Sequence, residues 1–241
     1  MVHTLDDDEA ALLYLQIIAL ERDGLVSRTF RRLDPERQLA VIEAILDEAA
    51  AGAPTSVAIK PVAKRAGIAV GSLYQYFPDR DGMVQFAASV SSRFLTASFD
   101  RYRPMLASLP LRDALSAYLG GGVEWSRMYA GLLRFFARAA YQGDVGLEQE
   151  LVKPVATAMR ETVRDILASA RARGELRDDV DIEWAARMTH ALAIAVGDGQ
   201  LLPHLNAYFQ VVPEGASGEA ATAAAIDFVA AAIGAEGKHG T

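Results

Sequence analysis

The stretch Ala63–Asp81, AKRAGIAVGSLYQYFPDRD, governs how the whole chain is read. Its grammar is a short helix ending at Arg65 or Ala66, a tight turn at Gly67, and a second short helix ending near Phe77. That is the order of a helix-turn-helix. Gly67 follows the polar pair Lys64 and Arg65, and a glycine there can take the left-handed conformation that closes a helix without a Cβ penalty. In the second helix Val70, Leu73, Tyr74 and Phe77 recur at three- and four-residue steps and form one inward face. Gly71, Ser72 and Gln75 are left facing out. Glycine and serine let a helix approach a groove edge closely, and glutamine offers bases a donor and an acceptor. Periodicity by itself also admits an ordinary helical hairpin.

A chain of 241 residues admits one domain or two, and 51% hydrophobic residues supply ample core. With no cysteine, disulfides and thiolate-bound zinc or iron-sulfur sites are excluded. His3, His190, His204 and His239 show no metal-ligand spacing, so neither a metal nor another cofactor is expected. No nucleophile-base pairing, carboxylate pair or phosphate loop falls at a diagnostic spacing, and no enzyme is expected. Gly120-Gly121-Gly122 lacks the lysine of a phosphate loop and reads as a connection. Asp6, Asp7, Asp8 and Glu9 precede the first apolar run, the reverse of a secretory leader's basic start. Ala10–Leu20 is too short to span a bilayer, and Ala220–Gly234 is cut by Asp227. The expectation is a soluble cytoplasmic protein without membrane attachment.

A net charge of −7 argues against a nucleic-acid partner until it is divided along the chain. Residues 24–80 carry eight bases against six acids, a balance of +2, whereas residues 1–23 stand at −5 and residues 81–241 at −4. The positive excess, though small, is local to the candidate reader.

Around that segment the helical rhythm continues. Residues 6–22 carry Leu12, Leu13, Leu15, Ile17, Ile18 and Leu20 in a run broad enough to need covering, by the body or by a partner subunit. Arg28, Arg31 and Arg32 then form a basic arm that reads either as a phosphate or minor-groove contact or as solvated surface. Asp34-Pro35 is a helix start, with Leu39, Ile42, Leu46 and Ala49 as its buried stripe. A long helix is expected from Asp81 to Arg103, stopping before Pro104. Aromatic and methionine side chains concentrate over Val123–Tyr141 and beyond, and serve either as plain core or as the wall of an apolar cavity. The cavity candidates are Trp125, Tyr129, Phe136, Met159, Trp184 and His190. Ile182–Val196 and Glu219–Ile233 are alanine-rich and suit close helix packing.

The run AKRAGIAVGSLYQYFPDRDGM resembles the DNA-binding segment of TetR-family transcriptional regulators, and the likeness covers roughly Leu39 to Val84. The phrase GELRDDVDIEWAA, Gly174–Ala186, is similar to a late inter-helix connection of that family. The resemblance implies an all-α fold with an N-terminal extension at 1–33, a helix-turn-helix domain at 34–80, and a larger effector-binding and dimerisation domain at 81–241. It further implies that Lys60, Val70, Gly71, Ser72, Tyr74, Gln75 and Tyr76 line the DNA side, and that Arg80 takes the place of a phosphate-contacting lysine. Tyr74 is ambiguous, since its spacing also fits the core.

The implied function is a homodimeric repressor, paired through the last two long helices. It would be released from a palindromic operator in double-stranded DNA by a small apolar effector. The alternative is a helical ligand- or protein-binding module with a vestigial or masked reader. Two residues depart from the family pattern. Pro61 stands where proline is not expected, although counting back from Gly67 puts it in a first turn, where its missing N–H has no intrahelical partner. Ala69 replaces a capping serine, a loss of about 0.5–2 kcal/mol.

Overall fold

The computed structural model describes residues 7–120 and 129–235. Among them the regular elements are helical, and extended pairing is confined to an isolated antiparallel bridge between Leu176 and Gly234. In chain order the helices are α1 (Asp7–Arg22), α2 (Arg28–Arg31), α3 (Pro35–Ala51), α4 (Ile59–Ala66), α5 (Val70–Tyr76), α6 (Arg80–Ser108) and α7 (Leu111–Leu119). After the interval come α8 (Ala130–Gln142), α9 (Val145–Leu147), α10 (Lys153–Ala172), α11 (Ile182–Leu201), α12 (Asn206–Phe209) and α13 (Gly218–Ile233). They divide into two compact units, Met1–Thr96 with Met128–Val155, and Ala97–Arg127 with Ala156–Thr241.

The first unit holds the reader. Asp34 caps α3 by accepting the Arg37 N–H at 2.9 Å, and Pro35 opens the first turn. The buried stripe of α3 is Val41, Ile42, Ile45, Leu46 and Ala49, with Leu39 only half-buried. One side of α3 packs on α4 and another on α8. At the α3–α8 crossing a Cβ on Gly131 would stand 3.3 Å from Asp47 Oδ1 and 3.8 Å from Leu46 Cβ, so a bare backbone lets the helices meet closely. Leu13, Ile17 and Leu20 of α1 are buried, which covers the apolar run of the extension in part, and Leu15 stays 64% exposed.

Asp79 caps α6 through the Gly82 N–H at 2.7 Å. Against expectation α6 runs through Pro104 to Ser108. The proline forfeits one backbone hydrogen bond, but both it and Asp100, the residue four positions earlier, are exposed. The segment Glu148–Val152 is a π turn. It falls just before Pro154, whose missing N–H interrupts the ordinary α ladder.

In the second unit Leu115, Ile166, Leu167, Ala170 and Ala186 are fully buried. The connection from Gly174 is pinned at both ends. Gly174 ends α10 at φ 71°, and Asp181 caps α11 by accepting the Glu183 and Trp184 N–H groups at 2.9 and 3.1 Å. Between them the Arg177 N–H donates to Ile233 O at 3.1 Å, and the Ala235 N–H to Glu175 O at 2.8 Å, tying down the end of α13.

Candidate nucleic-acid interface

The pivot between α4 and α5 closes as a two-bond C-terminal motif. Gly67 sits at φ 66°, ψ 30°, the Ile68 N–H donates to Ala63 O at 3.0 Å, and the Gly67 N–H to Lys64 O at 3.4 Å. No atom lies within 4 Å of where a Gly67 Cβ would stand, so glycine is needed for its backbone and not for space. Pro61 falls in the first turn of α4, where an amide would have had no partner. Ala69 has the extended backbone of an N-cap, φ −68° and ψ 144°, but no side-chain hydrogen bond to the helix.

The buried arc of α5 is Leu73, Tyr76 and Phe77, not the Val70, Leu73, Tyr74 and Phe77 set that the spacing predicts. Val70 is 37% and Tyr74 60% exposed. The cause is distant in sequence. Phe30, fully buried, offers its ring to Tyr76 and Phe77 at 5.6 Å each and to Phe86 at 5.3 Å, and this aromatic nest turns Tyr76 inward. Gly71, Tyr74 and Gln75 remain on the exposed side with Val70, and Ser72 is half-buried at its margin. Of the candidates for the DNA side, α5 therefore brings five to one surface and holds the Tyr76 ring in the core.

Lys60 is exposed on α4, one turn before Lys64, and these two with Pro61 and Arg65 border an open concavity of about 650 Å³. Arg65 is shared with Glu48 at 3.1 Å, while no ion pair holds Lys60 or Lys64 among the described residues. Lys64 was legible as a partner for Lys60 from its four-residue spacing. Arg80 is half-buried. Its guanidinium donates to the Thr55 carbonyl and to the Asp81 carboxylate, with Nε–H reaching Oδ1 at 2.9 Å. Thr55 is in turn held by Gln142 at the end of α8: the Thr55 N–H donates to Gln142 Oε1 at 3.4 Å, and Gln142 Nε2 donates to the hydroxyl.

A further hold on α5 comes from a residue that no spacing rule indicated. The Ser27 N–H donates to Tyr76 O at 2.8 Å, and the Ser27 hydroxyl donates to Gln75 O at 2.6 Å.

Residues 41–86 match the family model described as "Bacterial regulatory proteins, tetR family". That match takes in α4 and α5 with the adjoining parts of α3 and α6, and the fold is the one seen in solved TetR-family regulators. TetR-family proteins of this fold are transcription factors and not enzymes. One solved structure it resembles is a putative TetR-family transcriptional regulator from Rhodococcus sp., at 22% identity and TM-score 0.59, covering 81% of this chain and 99% of that one. Another is SmeT, the repressor of the Stenotrophomonas maltophilia multidrug efflux pump SmeDEF, at 19% identity and TM-score 0.60, covering 83% and 91%. A third is the transcriptional regulator FadR from Bacillus subtilis in complex with stearoyl-CoA, at 15% identity and TM-score 0.60, covering 81% and 99%. At these identities the likeness is one of TetR-family fold. The chain matches none of the curated proteins.

The effector candidates are divided between the units. Tyr129, whose ring lies 5.1 Å from that of Phe94, and buried Phe136 belong to the reader's unit. Met159, Trp184 and His190 belong to the other. The Met159 carbonyl accepts the Tyr118 hydroxyl at 3.5 Å, and Trp184 stands 62% exposed. His190 is half-buried with Nδ1 unpartnered, and burial, then the Arg160 charge, lowers its pKa. Trp125 lies outside the described residues. No group of three potential metal ligands occurs among the described residues, and no helix there is long and apolar enough to cross a membrane.

Proposed function

We propose that the protein is a homodimeric repressor that reads a palindromic operator in double-stranded DNA through α5 and is released by a small apolar effector. The observation that carries this reading is the exposed surface of Gly71, Tyr74 and Gln75 on a helix pivoting at Gly67, flanked by Lys60 and Lys64. Gln75 can pair with an adenine edge, the Tyr74 hydroxyl and the lysines suit phosphates, and Gly71 allows close approach. The dimer is supported by α11 and α13. Trp184, Met188 and Phe228 are 62%, 60% and 70% exposed there, beside exposed Ala191, Ala224 and Ala231. Apolar surface of that kind is what a helix-on-helix interface covers.

Effector release is supported by α8. It carries Phe136, starts beside Tyr129, packs on α3 and holds Thr55 through Gln142. A ligand that moves α8 therefore acts on the reader's own unit, through differential affinity for two arrangements. Its apolar character follows from the aromatic candidates Tyr129 and Phe136, and the stearoyl chain of the stearoyl-CoA in complex with the Bacillus protein is apolar in the same way.

The test is selection of bound duplexes from a random pool, followed by footprinting. The expected result is a two-fold symmetric site with half-site centres about one helical turn apart, bound with lower affinity when Gln75→Ala is introduced. A second reading, a masked reader, rests on Arg80 being engaged by Thr55 and Asp81. Selection of no sequence at low salt would favour it.

A further inference from the structure

The extension before α3 is built into the recognition helix. α5 has seven residues, too few to be stable alone, and its N-cap position contributes no side-chain bond. Its last turn leaves carbonyls without intrahelical partners. Two of these, Gln75 O and Tyr76 O, are taken by the hydroxyl and N–H of Ser27 at 2.6 and 2.8 Å.

Ser27 is itself fixed. Its Oγ also accepts the Phe30 N–H at 3.3 Å, capping α2, and Phe30 drives its ring between Tyr76, Phe77 and Phe86. The closing end of α2 is held by Gln38 of α3, whose Nε2 donates to Phe30 O at 3.2 Å and Arg31 O at 3.0 Å. Arg31 is bound to Glu21 of α1, and the Leu25 N–H donates to Leu20 O at 3.0 Å. Of the three arginines of this arm, Arg31 is therefore committed inward. Arg28, the first residue of α2, and Arg32, its helical C-cap, are exposed, four residues apart and thus on the same side, across from buried Phe30, and no ion pair holds them among the described residues. Arg28 follows directly on the residue that grips the end of α5.

We propose that residues 25–32 are part of the DNA reader: Ser27 is a positioning residue for the recognition helix, and Arg28 and Arg32 bind phosphates beside it. This rests on the DNA-reading function above.

Three substitutions separate the roles of Ser27. Ser27→Ala removes both hydroxyl bonds, and Ser27→Gly removes them too but keeps most of the helix-cap preference for α2. Ser27→Thr retains the hydroxyl. In the full-length protein without DNA, amide exchange at Leu73–Phe77 is expected to quicken about tenfold in the alanine and glycine variants. It should stay near wild type in the threonine variant, with the α3 amides unchanged in all three. Unaltered exchange at Leu73–Phe77 in the glycine variant overturns the positioning role.

With duplexes selected by the wild-type protein, the alanine and glycine variants should lose about tenfold in the ratio of specific to non-specific affinity, and the threonine variant should keep it. An unchanged ratio likewise overturns the positioning role. Arg28→Ala with Arg32→Ala should instead weaken both kinds of binding alike and lower the steepness of the salt dependence by about 1 for each phosphate no longer neutralised. An unchanged salt slope overturns the phosphate-binding role. If the wild type selects no duplex, the proposed function falls, and the exchange measurement still decides what Ser27 does to α5.

Discussion

Ala69 has the backbone of a helix cap and lacks the oxygen that would make it one. Ala69→Ser should restore the bond at no conformational cost and stabilise α5 by about 0.5–2 kcal/mol, seen as slower amide exchange over α5 and tighter operator binding. No change in either would mean that the first turn is fixed by other means. His190 makes the opposite kind of point. Burial first, then the Arg160 charge, lowers its pKa, while Arg160 is itself paired with Glu161 at 2.7 Å and Glu183 at 3.7 Å. The folded state thus holds the ring neutral at pH values where the unfolded chain, with a pKa of about 6.5, binds a proton. This group's contribution to stability is full above that pH and is lost as the pH falls toward the lowered folded value. Thermal unfolding should show a smaller loss on acidification from about pH 7.5 to 5.5 in His190→Gln than in wild type. Identical losses would contradict it. Neither residue's role could be read from spacing, because a cap and a desolvated ring are facts about neighbours.

Among elements, the α4–α5 pair is the one whose geometry is set most locally. Gly67 at φ 66° has open space around it, so Gly67→Ala meets no clash and incurs only the left-handed backbone penalty, about 1–2 kcal/mol. Calorimetry should show a lowered Tm, and operator affinity should fall with it. A variant as stable as wild type would show that the turn has another conformation available. Helix starts and stops were legible here because they depend on the immediate residues: Asp34-Pro35 opens α3, Pro61 fits the first turn of α4, and Gly67 ends it. The inward face of α5 was not. At two turns its apolar positions span too wide an arc to fix its rotation, and the ring of Phe30 made the choice in favour of Tyr76 over Tyr74. The end of α6 was misjudged for a related reason, since a proline on an exposed side can be carried by a helix held elsewhere.

For the whole molecule, the proposed dimer makes the sharpest prediction. Trp184→Glu with Phe228→Glu places charges on exposed apolar sites of α11 and α13 and leaves the buried core untouched. If these helices pair two copies, sedimentation should report a monomer, and affinity for a palindrome should fall by orders of magnitude while non-specific binding is reduced far less. A dimer that survives both charges would move the interface elsewhere. The grouping of residues 128–155 with the reader is a second feature of this scale. Gln142→Ala should leave operator affinity within a few-fold but blunt the response to an effector, because it cuts the bonds from α8 to Thr55. An undiminished response would place the coupling on another path.

The sequence by itself determined the helical class, the pivot at Gly67, the two-helix reader and the family likeness, because each rests on interactions within a few residues along the chain. Only the tertiary structure decided which face of α5 is open, that Arg80 is engaged with Thr55, and that Ser27 secures the end of the recognition helix. The physical reason is the same in each case. A side chain's exposure and its hydrogen-bond partners are set by what folds against it, and Phe30, Thr55 and Ser27 reach α5 and Arg80 from far away in the sequence.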